Sequence, residues 1–227
     1  MNHYTIYTLP IHLDKALVFA RQHIHVSMPN YDAFDKAFDE LTEEINVHCT
    51  PRGMFTLKPI CKEARLTKDL SEVSHVVYAM VTLGPWISSR STAYFKEKDF
   101  LKGLLLDAMA DQLLFDASDA FYPTIRQIVY DEQGYALTVR IEPDDRYVPM
   151  WVQKLVLDEC GGRGALDVDI TDGYMYNPLK TMGYLYGADK NIAIAEKDHD
   201  CNLCSNLTCE FRKTRPEGTV MESRPFI

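Results

Sequence analysis

Apolar residues recur along the chain with two different periods, and the change from one to the other marks the predicted elements. Between 31 and 47, Tyr31, Phe34, Phe38, Leu41 and Ile45 fall three and four residues apart with Asp and Glu between them. This is the pattern of an amphipathic helix that stops before Pro51-Arg52-Gly53. The same period returns from Phe100 to Phe121 through Leu101, Leu104, Leu105, Met109, Leu113 and Ala117, and Pro123 is expected to bend this helix or start a second one. Segments 13–22 and 149–158 predict shorter helices, the second ending at Cys160-Gly161-Gly162, where glycine suits a C-cap. Alternating or unbroken apolar runs predict strands at 4–10, 54–60, 73–84, 135–141, 166–176, 183–187 and 191–196, with 54–60 and 73–84 paired. Helices and strands intermixed, without a repeat, predict an α+β fold in one domain. Its parts are a strand-and-helix segment over 1–50, a core over 51–197 and a cysteine-bearing tail over 198–227.

Composition narrows the function classes. The 227 residues carry 33 acidic and 24 basic side chains, a formal charge of −9. That disfavours a nucleic-acid partner, because counterion release needs clustered Lys and Arg. No basic stretch followed by an apolar run opens the sequence, and no stretch approaches the ~18 apolar residues of a membrane helix, so the expectation is a cytoplasmic protein with no membrane partner. No GxGxxG, Walker, HExxH or nucleophile-elbow pattern is present, which leaves conventional dehydrogenase and hydrolase readings without residues to carry them.

The cysteines offer chemistry instead. Cys201, Cys204 and Cys209 fall within nine residues, and the tight Cys-x2-Cys spacing lets two thiolates grip one metal from a turn. Three thiolates leave a tetrahedral site incomplete. His199 as the fourth ligand would suit structural zinc, whereas Cys160, Cys61 or Cys49 brought in by the fold would suit an iron–sulfur cluster.

Five blocks carry a family resemblance: TLGPWISSR, KDFLKGLLLDAMADQLLFDA, RIEPDDRYVPMWVQ, YMYNPLKTMGYLYG and CNLCSNLTCEFRK. In this order, over roughly residues 50–213, they resemble the reactivation domain of cobalamin-dependent methionine synthase and its stand-alone relatives. The resemblance implies an α+β unit on a twisted antiparallel sheet that docks on a corrinoid protein. It also implies binding of S-adenosylmethionine, so that cobalamin carried by the partner is captured by methylation once reduced. The family's Arg-x-x-x-Gly-Tyr motif falls on 140–145, where Arg140 and Pro143 match and Asp144 and Asp145 stand for the glycine and tyrosine. Asp111 and Tyr186 match family positions, Phe115 stands in place of a glutamate, and Gly183-Tyr184 replaces a Ser-Gly pair. Lys180-Thr181 resembles a family Lys-Ser pair.

The candidate ligand site is therefore Arg140, Asp111, Tyr186, Pro143, Asp144 and Asp145. Read on residue type alone, Asp144-Asp145 also suits a solvated turn, and Arg140 a strand-end guanidinium paired with a neighbouring acid. The function implied is an accessory protein for reductive reactivation of a corrinoid protein or methyltransferase. The alternatives are a non-catalytic corrinoid-protein-binding module that has lost S-adenosylmethionine, and an iron–sulfur redox protein.

Overall fold

The computed structural model describes residues 5–143, 148–195, 198, 199 and 209. The chain opens with strand β1 (Tyr7–Thr8) and two helices, α1 (Lys15–Arg21) and α2 (Tyr31–His48). Asp14 caps α1 by accepting the Leu17 N–H at 3.0 Å, and α2 buries Ala37, Phe38, Leu41 and Ile45, the stripe its sequence period requires. Strand β2 (Arg52–Pro59) leads through the short helix α3 (Lys68–Ser71) to β3 (His75–Thr82). Helices α4 (Trp86–Lys96) and α5 (Phe100–Gln133) follow, then β4 (Ala136–Leu137), α6 (Val152–Cys160) and the short α7 (Gly162–Ala165). The hairpin of β5 (Asp169–Ile170) and β6 (Tyr176–Asn177) precedes the last strand, β7 (Thr181–Asp189).

The five strands of the main sheet run β1-β2-β3-β7-β4, and each neighbouring pair is antiparallel. Strand β3 lies at its centre, with Val77 opposite Leu57 on one side and Tyr186 on the other. Both faces are covered. Val77, Ala79 and Val81 of β3 join Tyr184 and Tyr186 of β7 under α1, α2, α4 and α5, while Val76, Tyr78 and Met80 join Leu185 under α3 and α6. This double burial explains why the β3 sequence is an unbroken apolar run rather than an alternating one.

Three expectations change on folding. Helix α5 runs through Pro123 without ending there and closes at Gly134, whose φ of +67° is the left-handed cap glycine favours. Pro123 removes one backbone bond, to the carbonyl of Asp119, but it is exposed while Phe121, Tyr122, Ile125 and Val129 around it are buried, so packing carries the helix across the gap. The strand expected over 135–141 shrinks to two residues of β4 and an isolated bridge from Ile141 to Leu185. Two side-track bonds cause this: Thr138 Oγ1 accepts the Gly187 N–H at 2.9 Å, and the Arg140 N–H goes to the Asp198 carbonyl at 2.8 Å. The run 166–176 yields only the β5–β6 hairpin, and 191–195 contains no strand.

Helix α4 was not foreshadowed, because its Ser-Ser-Arg-Ser-Thr-Ala stretch is too polar to show a stripe. It packs where Gly103 leaves room, since a side chain there would meet the Phe95 ring at 3.0 Å. Among the described residues no helix is long and apolar enough to cross a membrane.

Candidate functional site

Arg140 follows the end of β4, and its side chain is only 4% exposed. A guanidinium this deep costs several kcal/mol in lost hydration unless it is paired. Three carboxylates surround it: Asp119 Oδ1 at 3.2 Å, Glu142 Oε1 at 3.1 Å and Asp198 Oδ2 at 3.3 Å. Its Nη1 also donates to Ser118 Oγ at 2.6 Å. The Nε atom lies within ion-pair distance of Glu142 but off the line of a hydrogen bond, so that contact is Coulombic rather than directional. Burial opposes the charge on Arg140, yet Asp198 and Glu142 outweigh it and hold the guanidinium protonated more firmly than usual.

The other half of this cluster comes from β7. Tyr186 donates its hydroxyl to Asp198 Oδ1 at 2.6 Å, and its ring lies 5.6 Å from that of Tyr122 and 5.7 Å from that of Tyr184. Burial pushes both the Tyr186 and Tyr184 hydroxyls far above the ordinary tyrosine range. The Tyr184 ring sits 5.3 Å from the Arg140 guanidinium carbon. Burial also raises the Asp198 carboxyl, against the pull of Arg140. One buried cation is thus shared among three acids, two of which, Asp119 and Glu142, keep partial contact with water at 29% and 36% exposure.

Asp111 is paired with a different cation. It pairs at 2.7 Å with Lys180, whose ammonium also meets Asp107 at 2.8 Å. Lys180, a long cation that residue type alone would place on the surface, is buried at the start of β7, and Thr181 beside it hydrogen-bonds Pro178 O and the Thr82 hydroxyl. Desolvation lowers the Lys180 ammonium, but Asp107 and Asp111 more than restore it.

Pro143 lines a shallow cleft of about 190 Å³ with Glu142, Leu114, Gln153, Tyr176 and Gly183. That is small beside the ~300–1,000 Å³ typical of small-molecule sites. Gly183 is packed under Tyr176, whose hydroxyl donates to Gln153 O at 2.8 Å, so a serine at 183 would collide with that ring.

The structure therefore brings Arg140 and Tyr186 together through Asp198, sets Pro143 on an adjoining cleft and pairs Asp111 with Lys180, whose neighbour Thr181 lines that same cleft. Asp144 and Asp145 lie outside the described residues. Ser118, Asp119 and Glu142 had a local signal, since Glu142 is two residues from Arg140 and the other two sit one turn beyond Phe115 on α5. Asp198, 58 residues away in sequence, had none.

Of the tail ligands, His199 and Cys209 are described, while Cys201 and Cys204 lie outside the described residues. Among the described residues no group of three or more His, Cys, Asp or Glu side chains is placed to hold a metal. Cys49 and Cys160 are buried on opposite faces of the sheet, their thiols donating to Leu83 O at 3.6 Å and Tyr78 O at 3.1 Å. Burial pushes Cys49 up to about 11 and Cys160 further still, so both are inert thiols.

No protein-family model and no curated protein matches the sequence. Among solved structures, the chain is similar in fold to one described as the MetH reactivation domain bound to AdoHcy. The TM-score is 0.62 at 11% sequence identity, with 85% of this chain and 80% of that one covered. At this identity the likeness establishes the architecture, an α+β fold with an antiparallel sheet and flanking helices.

Proposed function

We propose that the chain is an accessory protein of corrinoid metabolism, docking on a protein that carries cobalamin and supporting its reductive reactivation. The shared architecture, together with the order of the resembling sequence blocks, supports this reading. Arg140, Asp119, Glu142, Asp198 and Tyr186 then act as a brace that fixes the end of β4, the middle of α5 and the segment after β7 in one geometry.

The residues present do not fit S-adenosylmethionine in this arrangement. Its carboxylate would need the Arg140 guanidinium, which is already filled by three acids, and the cleft at Pro143 is small. The enclosure of Arg140 favours the second reading, a corrinoid-protein-binding module without the methyl donor.

Calorimetry of the full chain separates these readings. It is titrated with a methionine synthase cobalamin module loaded with cob(II)alamin, and separately with S-adenosylmethionine and S-adenosylhomocysteine. Binding of the module with no heat from either small molecule supports the second reading, and heat from all three supports the full reactivation role. Silence towards the module rejects both.

The tail enters as a metal site of Cys201, Cys204 and Cys209 with His199, holding zinc or an iron–sulfur cluster. Metal analysis and a visible spectrum of an anaerobic preparation test it. A colourless protein free of zinc and iron removes that part and the iron–sulfur redox alternative with it.

A further inference from the structure

A second cleft, at the C-terminal end of α5, takes no part in the function proposed above. Its volume is about 200 Å³, and it is walled by Tyr122, Arg126, Tyr130, Tyr135, Ile194 and Ala195. Two of the three aromatic walls are held in place. Tyr122 is buried and its hydroxyl donates to Ala195 O at 3.1 Å, while Tyr135 is pinned by the His75 ring at 4.8 Å and lies 5.8 Å from the Lys190 ammonium.

Arg126 stands apart from the other guanidinium groups among the described residues. Arg52, Arg90 and Arg140 are each committed to a protein acceptor. Among the described residues Arg126 has neither a hydrogen bond nor a carboxylate within ion-pair distance, although the chain carries nine more acids than bases. Burial raises the Tyr122 hydroxyl, and Arg126 pulls it the other way, which puts the guanidinium close to that wall of the cleft. A half-buried cation among aromatic rings, unpaired among the described residues, favours an anion by its electrostatics.

We infer that this cleft binds a planar aromatic carboxylic acid of one or two rings, with the ring among Tyr122, Tyr130 and Tyr135 and the carboxylate on Arg126. The size follows from the volume, which falls below the ~300 Å³ lower bound for drug-sized ligands. The ring follows from the tyrosine walls, and the carboxylate from the planar fork that guanidinium presents.

Indole-3-acetate, with uncharged indole as its control, is titrated calorimetrically into the full chain. Indole-3-acetate is expected to bind with a Kd of about 0.1–1 mM. Arg126→Gln should weaken it at least ~10-fold, about 1.4 kcal/mol, and leave indole binding and the melting temperature unchanged. Tyr130→Ala, at a side chain 54% exposed and so without cost to folding, should weaken both ligands. No heat from indole-3-acetate at several times the upper Kd, or equal affinity in Arg126→Gln, overturns the proposal.

Discussion

Replacing Arg140 by methionine keeps most of the side-chain volume and removes the cation. Three carboxylates are then left facing one another around an apolar stem. Asp119 and Glu142 are 29% and 36% exposed and can turn towards water, so most of the penalty falls on Asp198, whose side chain is only 9% exposed. At an effective dielectric of 20, an ion pair at 3.3 Å has a gross attraction of about 5 kcal/mol, and removing one partner of a buried pair costs about 3–5 kcal/mol net. With an unfolding entropy near 2.1 cal/mol/K per residue, 227 residues lose about 2 °C per kcal/mol, so the melting temperature should fall by about 6–10 °C.

The pH dependence fixes the cause of that loss. Burial raises the Asp198 pKa, so its favourable linkage to folding is complete below the unfolded value near ~4 and is lost as pH rises through the folded value. Without Arg140 the folded value rises further. The deficit of the variant should therefore be largest at neutral pH and shrink as pH falls below ~4, where Asp198 becomes protonated in the unfolded state as well as the folded one. Urea unfolding at pH 7 and pH ~3, with Asp198→Asn and the double variant completing a cycle, measures this directly. A neutral-pH loss under ~1 kcal/mol, or additive single effects, would refute the idea that the cluster is a mutually dependent buried unit.

Lys180→Met should cost only about 1 kcal/mol by the same unfolding assay, because Asp107 and Asp111 are about half exposed and rehydrate when the ammonium leaves. Gly183→Ala should destabilise by about 1–3 kcal/mol and break the bond from Tyr176 to Gln153 O, a change visible in the Tyr176 ring resonances. The Asp189 carboxyl is held down to about 2 by the Ser74 and Asn191 donors, so its contribution to stability is present above pH ~4 and lost as pH falls towards 2. Asp189→Asn should accordingly flatten the acid limb of the stability profile. Native alkylation at pH 8 should spare Cys49 and Cys160, since a thiol at about 11 is ~0.1% thiolate there, and peptide mapping after denaturation should recover both.

The parts of this fold that were legible in the sequence are those where one physical rule acts alone. The stripe of α2 and the apolar run of β3 each follow from burial of one or both faces, and both elements fall where expected. The end of α6 at Gly161, with φ +73°, follows from backbone sterics alone. Where long-range bonds compete with local pattern, the reading fails. Alternation over 135–141 is real, but the Thr138 hydroxyl and the Asp198 carbonyl take or supply the bonds a longer strand would have used. Of the two outcomes expected at Pro123, a bend or a second helix, the second does not occur, because the packing on either side that carries α5 through is not encoded locally. Arg140 was singled out both as a ligand-binding residue and as a guanidinium paired with nearby acids. The geometry observed is the second, and one of its acids arrives from a segment far along the chain.

Helix α5, at 34 residues about 51 Å long, does more than cover the sheet. Along one rod it carries Asp107 and Asp111 for the Lys180 pair, Ser118 and Asp119 for the Arg140 brace, and Tyr122, Arg126 and Tyr130 for the aromatic cleft. It works like a camshaft: a roll or slide imposed at any one of these stations is passed along one continuous helix to the other two.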